Sequence, residues 1–206
     1  MTHAERYVTV YMQFNSHIDR LLTTTVNLVN ALSPGEDGGR PVASPRGDAL
    51  RDAVAAAVRA EGYDVRPSLA EARALAAETD LARRVFEALC ASDETSAARL
   101  VNEMLRATDA RPQLDTDENG GHSLHFHGPD DSFSRGWAAG LAAGLAMAIG
   151  GDLGSRLGTC AAPACDRVYI DMSKNSHRRF CSTRCQNRVK TAAYRDRARH
   201  DGDAAV

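Results

Sequence analysis

Residues 160–199 read CAAPACDRVYIDMSKNSHRRFCSTRCQNRVKTAAYRDRAR and contain four of the chain's five cysteines. These are Cys160, Cys165, Cys181 and Cys185, arranged as C-x4-C, a gap of fifteen residues, and C-x3-C. Two close cysteine pairs separated by about fifteen to twenty residues are typical of a tetrahedral zinc site, in which each pair forms a short knuckle. The spacing therefore predicts that the four thiolates bind one structural Zn²⁺ ion.

The same segment is too small to fold by burying apolar surface alone. Its larger apolar side chains are few, namely Val168, Tyr169, Ile170, Met172, Phe180, Val189 and Tyr194. A core of this size needs a cross-link, and zinc contributes on the order of 10–16 kcal/mol of apparent binding free energy in small finger peptides. The alternatives are two disulfides or four unrelated thiols; disulfides are disfavoured because nothing marks the chain as secreted. A site with four cysteine ligands leaves no open position for water, so we expect no catalysis by the metal.

Local patterns around the cysteines predict a hairpin followed by a helix. Residues 167–171 alternate apolar and polar side chains, and we expect this strand to pair with residues 178–180. Ser182 is a good N-cap for a helix over residues 183–199, with Cys185 in its first turn. The sequence therefore predicts a treble-clef-like zinc finger.

The charge of the chain is divided unevenly. Residues 160–199 carry a net charge of +7, whereas the first 159 residues carry −7. A merely solvated helix would mix in glutamates at i,i+4 spacing, and only Asp196 interrupts the basic side chains here. Dense basic patches attract phosphate backbones, and arginine also binds guanine edges. We therefore predict a nucleic-acid interface formed by Arg178, Arg179, Arg184, Arg188, Lys190, Arg195 and Arg199.

Three short motifs accompany the cysteines: DMSKN at 171–175, RRFCS at 178–182 and CQNR at 185–188. With these motifs, residues 157–199 resemble the CGNR-type zinc finger of bacterial proteins. The resemblance implies DNA binding and transcriptional control, and it adds Asn187, beside Arg188, to the predicted interface. Gln186 departs from the family pattern, because it replaces the glycine of the family's name.

Proteins with this finger usually carry an N-terminal ABATE domain, which is described as a stress-induced transcription regulator. The first part of this chain is similar to that domain in length, order and helical character. The resemblance therefore implies a regulatory domain over residues 1–152 and a finger over residues 153–206.

The N-terminal part has the patterns of a mainly helical domain. Residues 6–14 are strand-like or lead into a helix that continues to residue 32, and the Pro- and Gly-rich residues 34–47 indicate a loop, most simply a linker. Further helices are predicted over residues 48–60, 68–77, 79–91, 95–108 and 133–149. The last of these has glycines spaced by four, is too short to span a bilayer, and is expected to be the buried central helix.

A β-hairpin is predicted at residues 112–127, because Asn119-Gly120 is a strong turn signal. His125 and His127 lie on one face of its second strand. The simplest interpretation is a pair of solvent-side histidines; a metal or anionic effector site, with Asp115 or Asp117, is the alternative.

Three other polar residues receive structural interpretations. Asn27 and Asn30 are expected to be surface or capping groups, and Cys90 a small buried residue at a helix end.

Together these patterns predict a zinc-dependent, DNA-binding transcription regulator whose helical domain binds a small-molecule effector or mediates dimerisation. A homodimer is expected because one finger contacts little DNA. An adaptor whose finger contacts RNA or a protein partner is the alternative. We expect no enzyme, since no nucleophile elbow, phosphate loop or open metal triad is recognisable. Without a signal peptide or membrane span, the expected location is the bacterial cytoplasm.

Overall fold

The structure, a computed structural model, describes residues 16–59, 62, 64–116, 120–130, 132–151, 153–173 and 175–203. Within them the chain forms six α-helices: α1 Ser16–Leu32, α2 Asp48–Arg59, α3 Leu69–Cys90, α4 Glu94–Thr108, α5 Phe133–Gly150 and α6 Thr183–Asp203. Six short strands form three antiparallel hairpins: β1 Gly35–Glu36 with β2 Pro41–Val42, β3 Arg111–Thr116 with β4 His122–His127, and β5 Leu157–Thr159 with β6 Val168–Ile170. The mainly helical class is confirmed; the predicted strand at residues 6–14 lies outside the described residues.

Helix α5 is the buried centre of the helical part, as its apolar sequence predicts. It packs against α1, α3 and α4. A Cβ atom at Gly140 would come within 2.9 Å of Leu21, and one at Gly144 within 3.3 Å of the same side chain. The glycines therefore allow α1 to approach α5 closely. No helix in the described part of the chain is long and apolar enough to cross a bilayer.

Helix α3 corrects the prediction of two helices at residues 68–77 and 79–91. One helix runs from Leu69 to Cys90, begun by a capping box in which Ser68 and Glu71 exchange hydrogen bonds. Thr79 resembles a second helix start in sequence, but its hydroxyl donates to the Leu75 carbonyl at 2.8 Å inside the helix. The two apolar patterns are therefore parts of one stripe.

The hairpin of β3 and β4 is confirmed, with Arg111 opposite His127 and Thr116 opposite His122. Its second strand lies against α5. The turn residues 117–119 lie outside the described residues.

The predicted finger hairpin is wrong in its partner strand. Strand β6 pairs with the upstream strand β5, Leu157 lying opposite Ile170, and residues 178–180 form no strand. Leu157, Val168 and Ile170 are buried in the same apolar core as α1–α5. This burial explains the pairing, because β5 follows α5 after a single 3-10 turn at Gly154–Arg156 and places Leu157 in that core.

Residues 34–47 are more than a linker. They contain the β1–β2 hairpin, in which Asp37 N donates to the Arg40 carbonyl at 2.9 Å. Two backbone bonds attach this hairpin to the cysteine-bearing segment: Gly39 N to Ala164 O at 2.7 Å, and Asp166 N to Glu36 O at 3.0 Å. The division of the chain at residues 152 and 153 stays a prediction, and the contacts across it are extensive.

Candidate zinc centre and the basic helix

The four predicted ligands converge on one point. All four Sγ atoms lie within 4.8 Å of one another. The Sγ–Sγ distances are 3.8 Å for Cys165–Cys181, 3.8 Å for Cys181–Cys185 and 3.7 Å for Cys165–Cys185. Ligands placed tetrahedrally at the Zn–S distance of about 2.3 Å would be about 3.8 Å apart, whereas a disulfide is about 2.05 Å. The cysteines are unbonded to one another, and their geometry fits one structural zinc ion.

Short backbone bonds hold the ligands in place. Cys160 follows β5, and its N–H donates to the Arg167 carbonyl at 2.8 Å, which closes the first knuckle. Cys181 precedes α6, whose first turn carries the fully buried Cys185. The Ser182 hydroxyl accepts from the Cys185 N–H at 3.3 Å, so the predicted N-cap is confirmed.

The electrostatics of the cluster call for a cation. Burial raises the pKa of the Cys181 thiol, and burial also raises that of Cys165. For Cys185 burial acts in the same direction, but hydrogen bonds from Ser182 and the neighbouring thiols outweigh it and lower the pKa. Four thiolates in so small a volume repel one another, and a divalent ion offsets that repulsion while releasing the thiol protons.

One ligand is supported from the N-terminal part of the chain. Burial raises the pKa of the Cys165 thiol, and the backbone amides of Arg167 and Gly38 oppose that rise without cancelling it. Gly38 lies in the β1–β2 turn, far from Cys165 in sequence. The hydrogen bonds around the metal ligands are therefore shared between both parts of the chain.

Arg167 is the strongest link between the finger and α1. Its side chain is only 4% exposed. Nη1 donates to the carbonyls of Asn30 at 2.8 Å and Ser33 at 3.0 Å, and Nη2 donates to the Pro34 carbonyl at 3.1 Å. Asp166 supplies the counter-charge, 2.6 Å from Nη2. Arginine thus satisfies the orphan carbonyls at the end of α1; the sequence showed only a basic residue here.

A second buried charge fixes the loop before Cys181. Asp171 is 3% exposed and accepts hydrogen bonds from Ser173 and, at 2.7 Å, from the Arg178 N–H. Burial alone would raise the pKa of Asp171, but these hydrogen bonds hold it below its usual value. The first residue of the DMSKN motif is therefore a charged loop anchor.

The finger so described is a four-cysteine structural zinc finger: a hairpin and a helix around one metal site. Residues 156–198 match the CGNR zinc finger family. The match covers the finger and leaves α1–α5 outside it. Among curated proteins, none matches this chain.

Three of the arginines predicted to contact nucleic acid already bind other groups of the protein. The Arg178 guanidinium donates to the carbonyls of Ile170, Phe180 and Cys181 and lies 5.5 Å from the Tyr169 ring centre. Arg184 forms an ion pair with Asp37, and Arg188 donates to the Pro163 carbonyl. These last two arginines lie against the β1–β2 turn, where a Cβ at Gly38 would meet Arg184 and one at Gly39 would meet Arg188.

The other predicted contacts face solvent. Arg179, Asn187, Lys190 and Arg195 are exposed, and within the described residues their side chains have no hydrogen bond or ion pair. The side chain of Arg199 lies outside the described residues.

Sequence reasoning missed the centre of the solvent face of α6. At 100° per residue, the direction opposite Cys185 and Val189 is occupied by Thr183, Asn187, Lys190, Thr191 and Tyr194, with Gln186 and Arg197 on one flank of this face; all of them are exposed. The signal was present in the sequence, because the zinc-facing side of the helix was already known. Placing the interface opposite that side would have added Thr183, Thr191 and Tyr194 to the predicted contacts.

Two further predictions are settled by position. Cys90 is exposed, contrary to the buried position predicted for it; it accepts from Thr159 N at 3.2 Å and lies outside the zinc group. Within the described part of the chain, the four cysteines are the only group of three or more side chains that could hold a metal, and His127 Nε2 lies 2.8 Å from Asp115 Oδ2.

Proposed function

We propose that the chain is a zinc-dependent, DNA-binding transcription regulator, with α6 as its docking element. The observation that supports this proposal most directly is the solvent face of α6, which is basic and amide-rich, directly opposite the zinc-anchored side. The zinc and the β1–β2 hairpin hold one side of the helix, and the other side is exposed to a partner.

The charges on this face suit a phosphate backbone. Arg179, Lys190, Arg195 and Arg197 are exposed and form no ion pair within the described residues. Each such cation that binds a phosphate releases condensed counterions and strengthens binding at low salt. The acidic body, with its net charge of −7 over the first 159 residues, repels DNA from the remaining surface. An α-helix also fits the major groove in width.

Two amide side chains are placed to contact bases. Gln186 and Asn187 are both exposed on α6, about 100° apart around the helix, and Gln186 borders a groove with Arg179 and Thr183. Glutamine and asparagine bind adenine through paired hydrogen bonds in the major groove. We therefore assign base contacts to these two amides and phosphate contacts to the free cations, while Arg184 and Arg188 act mainly within the protein.

The test is a selection of duplexes from a random pool by the zinc-loaded chain. We expect an enriched motif that is lost after chelation or in Cys181→Ser. Replacing Lys190 and Arg195 by Gln should lower affinity for all duplexes and reduce the salt slope by about 1 for each lost cation. Arg99→Gln, an exposed arginine on α4, is the matched charge control and should change little. A pool that stays unenriched would refute sequence-specific recognition.

One observation favours the alternative function, an adaptor whose finger contacts RNA or a protein partner. Tyr194 is 68% exposed on the same face of α6. An exposed aromatic ring beside cations is suited to stacking on unpaired bases. Competition between duplex DNA and single-stranded RNA for the chain separates the two functions, because a strong RNA preference that Tyr194→Ala removes would favour the adaptor.

The helical part is proposed to regulate the finger, by binding an effector or by dimerisation. Arg167 and the β1–β2 turn attach the finger to α1, so a displacement of α1 would be transmitted to α6. We assign no enzymatic activity, and we place the protein in the bacterial cytoplasm. Light scattering with and without DNA would show whether a homodimer forms.

A further inference from the structure

A cavity of about 310 Å³ lies between the first half of α1, the end of β4 and the start of α5. Its walls are mainly apolar, with Leu21, Phe126, Phe133 and Trp137 contributing. The Phe133 and Trp137 rings are 6.4 Å apart and inclined by 58°. This size and lining are those of a small-molecule site.

Thr24 provides an unused hydrogen-bonding group in this cavity. It is one of three consecutive threonines on α1, and its neighbours donate to carbonyls one turn back: Thr23 to Asp19 at 2.8 Å and Thr25 to Leu21 at 2.7 Å. Thr24 is fully buried and lines the cavity, and its hydroxyl has no hydrogen-bond partner among the residues that the structure describes. A buried hydroxyl without a partner is unfavourable, so a polar ligand atom would be stabilised here.

The edge of the cavity carries positive charge. Arg20 lines it, and within the described residues no carboxylate pairs with this arginine. Asp130 is also at the edge, but it accepts from Ser132 N at 3.0 Å and faces Arg135 at 3.5 Å. His127 also lines the cavity. Its Nε2 atom lies 2.8 Å from Oδ2 of Asp115, and Asp115 does not line the cavity. Among the described residues at the cavity entrance, Arg20 is therefore the basic side chain whose charge is least neutralised by carboxylates.

Arg20 and Thr24 are one helical turn apart on α1, so their side chains lie on the same face, about 5–6 Å apart at Cβ. One carboxylate can therefore accept from both. Gly136, on the wall formed by α5, leaves open space where a side chain would project. Aromatic rings bound the space beside Arg20 and Thr24, where such a carboxylate would lie. These rings suit a flat, apolar part of a ligand.

We propose that this cavity binds a small aromatic carboxylate, its carboxylate on Arg20 and Thr24 and its ring between Phe133, Trp137 and Phe126. The proposal rests on the sensing role proposed above for the helical part and names the ligand class. Binding is measured without DNA, so a negative result here leaves the DNA-binding proposal standing, and a protein that fails to bind DNA can still bind the carboxylate.

The experiment is isothermal titration of the full zinc-loaded chain with three probes: benzoate, phenylacetate and indole-3-acetate. Each is paired with its neutral amide, which keeps the shape and removes the charge. We expect saturable one-to-one binding of at least one acid and at least about tenfold weaker binding of its amide, because a hydrogen bond to a charged group is stronger than one between neutral groups.

Variants then assign the contacts. Arg20→Gln should weaken the acid about tenfold and leave the amide unchanged. Thr24→Val, which keeps the shape, should weaken the acid several-fold. Gly136→Leu should abolish binding by filling the cavity, while zinc content and melting temperature remain those of the unaltered chain. Arg99→Gln serves as the charge control.

Three results would overturn the proposal: no saturable binding of any acid at millimolar concentration, equal binding of acids and amides, or unchanged acid binding in Gly136→Leu. The melting temperature of every variant is measured alongside, so a change in binding can be distinguished from a failure to fold.

Discussion

The side-chain amide of Asn30 on α1 binds both backbone polar groups of Val168 in β6: Oδ1 accepts from Val168 N at 2.8 Å and Nδ2 donates to Val168 O at 2.9 Å. The amide thus acts as one residue of a neighbouring strand on the side of β6 away from β5. With Arg167, it fixes the finger to the end of α1.

Replacing Asn30 should therefore destabilise the chain. In Asn30→Ala the N–H and C=O of Val168 lose their partners, and we expect the free energy of unfolding to fall by about 2–4 kcal/mol. Urea denaturation of the zinc-loaded protein measures it. Asn27→Ala is the matched control, because Asn27 lies on the same helix and makes no side-chain hydrogen bond within the described residues. Equal losses in the two variants would contradict the role given to Asn30.

Arg167 should resist conservative replacement. Lysine keeps the charge but cannot donate in the planar fork that reaches Asn30, Ser33 and Pro34 together. We expect Arg167→Lys to lose about 2 kcal/mol and Arg167→Met about 3–5 kcal/mol, since the methionine leaves three carbonyls without a partner and Asp166 with Arg83 as its remaining ion-pair partner. Arg66→Lys, at an exposed ion pair, should stay within about 0.5 kcal/mol. A tolerated Arg167→Met in urea denaturation would contradict the assignment.

Metal content tests the zinc centre. Native mass spectrometry should find one zinc per chain, and chelation should lower the melting temperature because metal binding contributes to folding free energy. Cys181→Ser should lose the metal. Cys90→Ser should keep it, since Cys90 lies outside the cluster and a serine retains an acceptor for Thr159. Retained zinc in Cys181→Ser would show that the four-cysteine assignment is wrong.

Two glycines offer a matched test of how closely β1 approaches the finger. Gly35 and Gly47 both have positive φ, of 139° and 57°. At Gly47 an added Cβ meets nothing within 4 Å, so Gly47→Ala should cost about 1–2 kcal/mol from backbone strain. At Gly35 the Cβ would lie 1.9 Å from Asp166 Oδ2 and the φ of 139° is also less accessible to alanine than 57°, so we expect Gly35→Ala to cost at least about 1–3 kcal/mol more. Thermal denaturation compares them, and equal costs would show that the contact is not tight.

Asp37 should limit DNA binding if the proposed function is correct. It pairs with Arg184, which it withholds from phosphates, and its own charge repels them. We expect Asp37→Asn to raise duplex affinity about two- to fivefold at low salt, with the gain shrinking as salt screens the charges. Asp64→Asn makes the same charge change at a residue paired with Arg59. An equal gain in both variants would attribute the effect to net charge alone.

The features predicted correctly from sequence are those with local causes. The four zinc ligands follow from spacing, α5 follows from its apolar run, and the β3–β4 hairpin follows from Asn119-Gly120. Each signal is contained within a short window of the chain.

The features predicted wrongly depend on distant contacts. The alternation of apolar and polar residues in β6 correctly predicts a strand of a hairpin. It does not identify the partner strand, because β5 pairs with β6 through burial against the helical core. Arg167 and Asn30 are 137 positions apart, so neither sequence window shows why the other is there. The contacts of Arg184 with Asp37 and of Arg188 with Pro163 were likewise not visible in the sequence, while the nucleic-acid contacts predicted for both arginines stay predictions.

The backbone hydrogen bond from Gly39 to Ala164, which joins the β1–β2 turn to the first knuckle, also bears on the order in which the chain is made. A ribosome completes α1 and the β1–β2 turn long before it releases Cys181 and Cys185, so the first knuckle can dock on finished structure while the second pair is still missing. Until then the site has two ligands, and a two-thiolate site holds zinc weakly. We therefore expect metal capture to follow synthesis of the second cysteine pair, which makes a loaded zinc site a chemical mark that the finger has been synthesised as far as Cys185.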